Sequence, residues 1–426
     1  MKQIWIPILI ITFFHIGNCQ AQDNSENHKT KDSTSKAELI KNLGNGYFPT
    51  KYFDFDLRYL VKYNQFEGFR TGLGGLTNSN LSENFRLQGY TVYGVLDHTF
   101  KFSVGASIRL AKKTNTWLSY THTSDLEETG SSNFLTDKRF FQFIEPRLFN
   151  IDLFHHHISN SIELQHQLAS NILTETHFIS SNISPTYSYN YVPNTQSNFN
   201  DFELTLAKLS VQWNPFSAYQ DEKDPYLETK VGYPKITMQF TKSFKEILQG
   251  DFNFSKFDLR IFQQFNHSNS SVSQLVLASG IANGAVPLSH LYHAFPNNVD
   301  KSSIFKRFSV AGNNSFETMY FNEFFSDKII SLRFKHILKP FNFGPRFKPD
   351  LAFITKYALG SMDSPEHHQN ISFKTLEHGY FESGIELNQL LIGFGLSFAY
   401  RYGAYHLPHF DDNIAFKFTF NLNLNK

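Results

Sequence analysis

The sequence predicts an all-β protein, a transmembrane antiparallel β-barrel of about 16 strands, on three observations. The terminal segment from Ile414 to Leu424 sets Ile414, Phe416, Phe418, Phe420, Leu422 and Leu424 on alternate positions, with Ala415, Lys417, Thr419, Asn421 and Asn423 between them. Side chains alternate across a strand, so one face is apolar and the other polar. The same alternation recurs in many earlier segments, behind an N-terminus with the features of an export signal. Aromatic residues make up 16% of the chain, with 47 Phe and 20 Tyr, yet mean hydropathy is −0.34. Strands with a lipid face and a water face, ringed by aromatic girdles, produce that mixture.

Residues 1–21 combine Lys2, an apolar stretch from Ile4 to Ile16 and a short end at Cys19-Gln20-Ala21. This reads as a cleavable secretory signal, too short to be a spanning helix. Lipid attachment at Cys19 is the alternative, against which Asn18 stands where such sites favour a small residue. Cys19 is the only cysteine, so cleavage after Ala21 leaves no thiol for a disulfide or a metal. Residues 22–45 are polar, charged and nearly free of rings, and read as a disordered or periplasmic lead-in. The barrel is expected over 46–426.

The clearest strands come first. Phe53, Phe55, Leu57, Tyr59, Val61 and Tyr63 share one phase. Phe100 to Leu110 repeat it on even positions against Lys101, Ser103, Gly105, Ser107 and Arg109. Ile330, Leu332 and Phe334 alternate with Ser331, Arg333 and Lys335, and Ile392 to Tyr402 do so on even positions. Further strands are expected near 84–96, 115–124, 138–148, 160–169, 172–180, 200–214, 226–241, 252–265, 272–282, 316–325, 350–359 and 379–389. Those at 200–214 and 252–265 change phase midway, which suggests bulges or misplaced ends. Loops rich in Asn, Ser, Gly and Pro (Glu127–Thr136, Ser181–Asn200, Asn266–Ser271, Asn283–Ser303 and Gly360–Asn370) are expected on the outer surface.

Beyond the signal, whose single charge is Lys2, 38 basic residues balance 38 acidic ones, which gives no support for nucleic-acid binding. His155, His156, His157, His166, His177, His367 and His368 could suggest a metal, but consecutive strand residues point to opposite faces, so no metal site is expected. Ser119 and His122 are the best nucleophile and base, yet no G-x-S-x-G elbow is present and no catalytic residue is assigned. Gly68, Gly72, Gly74 and Gly75 lack the Lys-Ser/Thr of a phosphate loop, so no cofactor is expected. Small residues on a strand instead permit curvature or close approach. Glu67 and Arg70 lie among rings and glycines. Facing the lumen they would need partners, as a structural network or as a functional latch.

The stretch NQFEGFRTGLGG at 64–75, with GYTVYG at 89–94, DLEETG at 125–130, AGNNSFETMYFNEFFSD at 311–327 and YFESGIELNQLL with FAYRYGAYHLP at 380–408, resembles the C-terminal barrel of a family of outer-membrane proteins of unknown function. Members of that family usually carry an N-terminal carboxypeptidase-regulatory-like β-sandwich, and this chain is expected to be a barrel-only member. More distantly the order of parts is similar to the surface-antigen superfamily of outer-membrane assembly and two-partner secretion barrels. There a loop with an Arg-Gly signature folds into the lumen, and the matching place, Ala311 to Thr318, has no Arg-Gly. The resemblance implies a non-enzymatic scaffold or translocation element in a Gram-negative outer membrane, in contact with its lipid and with other envelope proteins. Burial cost and the position of the 311–318 loop point to Glu317 as the expected contact of the Glu67 and Arg70 pair. A passive porin and a barrel that binds ligands through its outer loops are the alternatives.

Overall fold

The computed structural model describes residues 46–131, 134–135, 147, 151, 153–194, 197–219, 228–298, 309–312, 314–344, 347–391 and 393–420. Residues 1–45, nearly all of 138–148, and Leu422 and Leu424 lie outside them.

Alternating sequence becomes one sheet of 19 strands. In chain order these are β1 (Tyr47–Pro49), β2 (Phe53–Asp56), β3 (Val61–Asn64), β4 (Gly68–Thr77), β5 (Phe85–Gly94), β6 (Phe100–Ala111), β7 (Thr116–Glu128), β8 (Phe154–Ala169), β9 (Ile172–Pro185), β10 (Phe202–Trp213), β11 (Lys235–Ser243), β12 (Phe254–Asn266), β13 (Val272–Gly284), β14 (Lys328–Ile337), β15 (Asp350–Ser361), β16 (Tyr380–Leu391), β17 (Phe394–Tyr402) and β18 (Ile414–Phe420), together with the two-residue strand Ser309–Val310. From β4 to β18 every strand pairs antiparallel with the next.

The count exceeds the expected 16 or so because short pieces join the edges and the first strand is broken. Asp56 accepts hydrogen bonds from the Arg58 backbone N–H at 3.0 Å and from Arg58 Nε at 2.8 Å, fixing a 3-10 turn at Leu57–Tyr59. The expected single run from Phe53 to Tyr63 is therefore two strands, β2 and β3, both paired with β4. Among the described residues no pairing joins β18 to β1, β2 or β3, so hydrogen bonds do not close the sheet there. Ser309–Val310 lies parallel on the outer edge of β18, opposite Lys417 and Phe418.

The two faces have inverted polarity. Phe100 is 68% and Val104 57% exposed, whereas Lys101 between them is 1% exposed. Ser119, Glu175, Gln239, Asp258, Arg333, Lys356, Glu382 and Arg401 are likewise buried, and Phe240, Phe257, Leu332, Phe353 and Phe416 are exposed. A globular sheet would bury the rings and solvate the charges. No helix among the described residues is long and apolar enough to cross a membrane, a fact that says nothing of strands.

Consecutive antiparallel strands leave their connections at alternate ends. The connections after β7, β9, β13 and β15 share one end, where four of the five expected outer loops lie. Asn266–Ser271, between β12 and β13, is at the opposite end, a correction that follows from strand direction. In the connection between β13 and β14, the described residues 285–298 and 314–327 turn inward. Within it Phe316–Tyr320 pairs in parallel with Pro296–Asn298 rather than joining the wall, which corrects the strand expected at 316–325.

The phase changes in β10 and β12 are not bulges, since their registers run without a shift. Phe202, Leu204, Leu206 and Phe254 face inward and pack with Tyr189, Tyr191, Leu288 and Tyr292 of the connections, while Ser210 and Gln212 further along β10 are buried and polar. On β10 the inner face is thus apolar near these connections and polar further along.

Candidate lumenal site

Two charge networks stand on the inner face. In the first, Asn64 Oδ1 accepts from the backbone N–H groups of Phe66 at 3.0 Å and Glu67 at 2.7 Å, turning the chain between β3 and β4. That turn buries Glu67, whose Oε1 is 2.6 Å from Lys101 Nζ on β6. Lys101 also pairs with Asp97. Arg70 donates to Asp125 on β7 through Nη1 at 2.7 Å and Nη2 at 2.6 Å, and lies 3.3 Å from Glu67 Oε2. Tyr90 donates to Asp125 Oδ2 at 2.5 Å, and its ring stacks on Tyr59 at 4.1 Å. A Cβ on Gly74 would sit 2.6 Å from Tyr90 Cβ, so the glycine makes room for that stack. Its role here is close approach.

The second network fixes the inward segment to the wall. Glu317 Oε2 is 3.0 Å from Lys417 on β18, and Glu317 also accepts from Asn297 at 2.8 Å and Ser315 at 2.7 Å. Lys356 on β15 lies 3.9 Å from Glu317 and 2.8 Å from Glu382 on β16. Glu382 in turn accepts from the Thr318 backbone N–H at 2.7 Å and its hydroxyl at 2.6 Å. Glu323 takes both ends of the Arg401 guanidinium from β17, at 3.0 and 2.6 Å. Tyr292 donates to Asp258 on β12 at 2.6 Å, and His293 is 2.7 Å from Glu128 on β7. A single segment therefore touches strands from β7 to β18, so the sheet curls around it.

Of the three residues singled out in the sequence, Glu67 and Arg70 do meet. Glu317 belongs to the other network, and its contacts are Lys417, Lys356, Asn297, Ser315 and the Gly312 N–H. This corrects the expected contact with the pair. Lys101 was legible as an inward strand position, whereas Asp125 lies one residue beyond the strand expected at 115–124 and falls within β7; which charges they meet is set by pairing across strands. Ser119 bonds Ser107 on the inner face at 2.9 Å while His122 faces outward toward Asn160, so the two form no dyad. His155 and His156 point to different surroundings, Thr129 and Phe66 respectively. The set best suited to a metal is instead Glu163, Glu175 and His177 on β8 and β9, whose ligand atoms lie within 4.8 Å of one another. Gln165 Nε2 donates to Glu163 at 2.6 Å there and to Glu175 at 3.3 Å.

No curated protein matches the chain in sequence. Among solved structures the fold is similar to BamA from Haemophilus ducreyi lacking POTRA domains 1–3, at 12% identity and a TM-score of 0.52, covering 84% of this chain and 68% of that one. CdiB from Escherichia coli aligns at 10% identity and a TM-score of 0.45, covering 84% of this chain and 60% of that one. The likeness to BamA is one of fold, that of an outer-membrane β-barrel. Residues 46–281 match the C-terminal domain of a family of unknown function, DUF5686, and the chain belongs to that family.

Proposed function

We propose that this chain is an outer-membrane barrel closed to solutes by residues 285–298 and 314–327 of its own β13–β14 connection, working as a non-enzymatic scaffold or translocation element with other envelope proteins. The observation that carries this reading is the bonding of Glu317 and Glu323 on the segment to Lys417, Lys356 and Arg401 on the wall. A porin needs an open, charged constriction, whereas here the inward charges are spent on holding a loop. The inverted polarity of the sheet supports lipid as the outer solvent.

Single-channel recording in a planar bilayer tests the proposal. Refolded wild type is expected to be electrically quiet. Gly280 lies under the Tyr292 ring, where a Cβ would come 2.6 Å from Tyr292 Cε1, so Gly280→Val is expected to dislodge the segment and give flickering openings. Large steady steps in the wild type would instead establish a passive porin. Quiet wild type and quiet variants, with ligands retained by outer loops alone, would favour a surface-binding barrel.

A further inference from the structure

Glu163 on β8 and Glu175 and His177 on β9 stand side by side on the inner face, because Glu163 pairs with His177 and Gln165 with Glu175 across the ladder. One atom, Gln165 Nε2, lies 2.6 Å from Glu163 Oε1 and 3.3 Å from Glu175 Oε1, so the two carboxylates converge on a single point. The His177 ring stands between the same acids, with Nε2 3.2 Å from Glu175 Oε2 and Nδ1 3.9 Å from Glu163 Oε2. Glu175 is 2% exposed, whereas the side chains of Glu163 and His177 keep 20% and 14% of their surface, which leaves an ion a way in.

The next rung of the ladder carries a second, independent sign. Gln167 is 6% exposed and Asn115 2%, and neither Gln167 Oε1 nor Asn115 Nδ2 has a hydrogen-bond partner among the described residues. Both residues line one small pocket together with Gln165 and Glu175. A buried carboxamide oxygen without a donor is costly, and a water polarised by a cation is a strong donor. The same water can accept from Asn115.

We propose that Glu163, Glu175 and His177 bind one divalent first-row transition-metal ion, of the zinc class, with a metal-bound water held by Gln167. Two carboxylates and an imidazole supply three ligands, the number that leaves a tetrahedral ion one position for that water. The imidazole sets the class, because calcium and magnesium take oxygen ligands whereas a ring nitrogen suits the transition ions. The ligand atoms already lie within 4.8 Å of one another, so small side-chain rotations close the shell. A half-turn of the Gln165 amide replaces its N–H at the point of convergence with an oxygen. Lys208 is opposite His177 on β10, in the same inward phase as Ser210 and Gln212, so the ion binds in competition with its ammonium. Once bound, the ion staples β8 to β9 from inside. The inference does not rest on the proposed role of the barrel.

The test is calorimetric titration of zinc into the full-length protein, refolded in detergent and stripped with a chelator. Wild type is expected to bind one zinc ion tightly, and calcium not measurably at the same concentrations. Glu175→Gln and His177→Ala are expected to lose that site, and Gln167→Leu to weaken it by about tenfold through the lost water contact. Lys208→Met is expected to tighten it, and His122→Gln, outward on β7, to leave it as in wild type. Should the ligand variants fail to fold, wild type alone gives a second reading: zinc, and not calcium, slows modification of His177 by diethyl pyrocarbonate, followed by mass spectrometry. Wild-type affinity in Glu175→Gln, His177→Ala or Gln167→Leu would overturn the proposal. So would weaker binding in Lys208→Met, loss of the site in His122→Gln, equal binding of calcium, or modification of His177 that zinc leaves unchanged.

Discussion

Arg70 on β4 reaches past β5 and β6 along the inner face to grip Asp125 on β7 with bonds of 2.7 and 2.6 Å, and holds its sequence neighbour Glu67 less closely, at 3.3 Å. The long-range bond is bidentate, the geometry in which a guanidinium and a carboxylate match best. Four strands are thereby tied by side chains as well as by their ladders.

Removing that arginine leaves two buried carboxylates short of a cation. Arg70→Gln is expected to cost about 3–5 kcal/mol, the usual penalty for stranding a buried charge. Glu67→Gln is expected to cost less, because Lys101 retains Asp97. Denaturant unfolding of the detergent-solubilised protein gives both values. The reverse order would mean that Glu67, and not Asp125, is the anchor.

The exposed apolar face makes a prediction about the solvent. Val104→Lys places a cation in mid-strand on the face assigned to lipid, with an expected cost of about 2–4 kcal/mol. In water an exposed Val→Lys change is close to neutral. Folding equilibria in phospholipid vesicles decide between the two, and a negligible cost would argue against a membrane location for β6.

Lys417 and Glu317 are expected to be coupled. Lys417→Met leaves Glu317 only the longer 3.9 Å contact with Lys356 and is expected to cost about 3 kcal/mol, while adding Glu317→Gln recovers a large part of it. A double-mutant cycle measures the coupling directly. Additive costs would show that the pair is not a latch.

The connections after β9, β13 and β15 carry a pH-sensitive contact. Tyr189 accepts from the Leu288 N–H at 3.0 Å, and its hydroxyl is hydrogen-bonded to His368 Nδ1 at 2.8 Å. Burial, with His367 beside it, pushes the His368 imidazole down to about 3. Since an unfolded histidine titrates near 6.5, the stability supplied by the neutral ring is full above that pH and is lost as pH falls toward about 3. Protease resistance of the outer loops is expected to decline over that window in wild type and to be flatter in His368→Gln. Identical profiles would dismiss the contact as a titrating element.

Period-two alternation made the wall legible wherever an inward polar residue stood against an outward ring, as in β6, β14 and β17. It failed where another force set the residue. In β4 the glycines erased the pattern, because Gly72 and Gly74 exist to let β5 and the Tyr59–Tyr90 stack approach. In β10 and β12 the inner face changes solvent from water to packed loop, which a strand pattern alone reads as a slip. Phe316–Tyr320 is an extended strand like those of the wall but lies inside. The inward turn of its parent segment depends on charges more than thirty residues away in sequence, at Lys356 and Lys417. Arg333 was legible as an inward position, but that no described residue accepts from it is a property of the assembled interior.

Chain order gives the inward segment a schedule. Glu317 and Glu323 leave the translation machinery before Lys356, Arg401 and Lys417, so the acids are made ahead of every base that neutralises them. Until β18 arrives, the cheapest place for those carboxylates is water. Seating of the segment is thus tied to arrival of the final strand, and a chain arrested before Lys417 would hold a sheet whose interior is still unfilled.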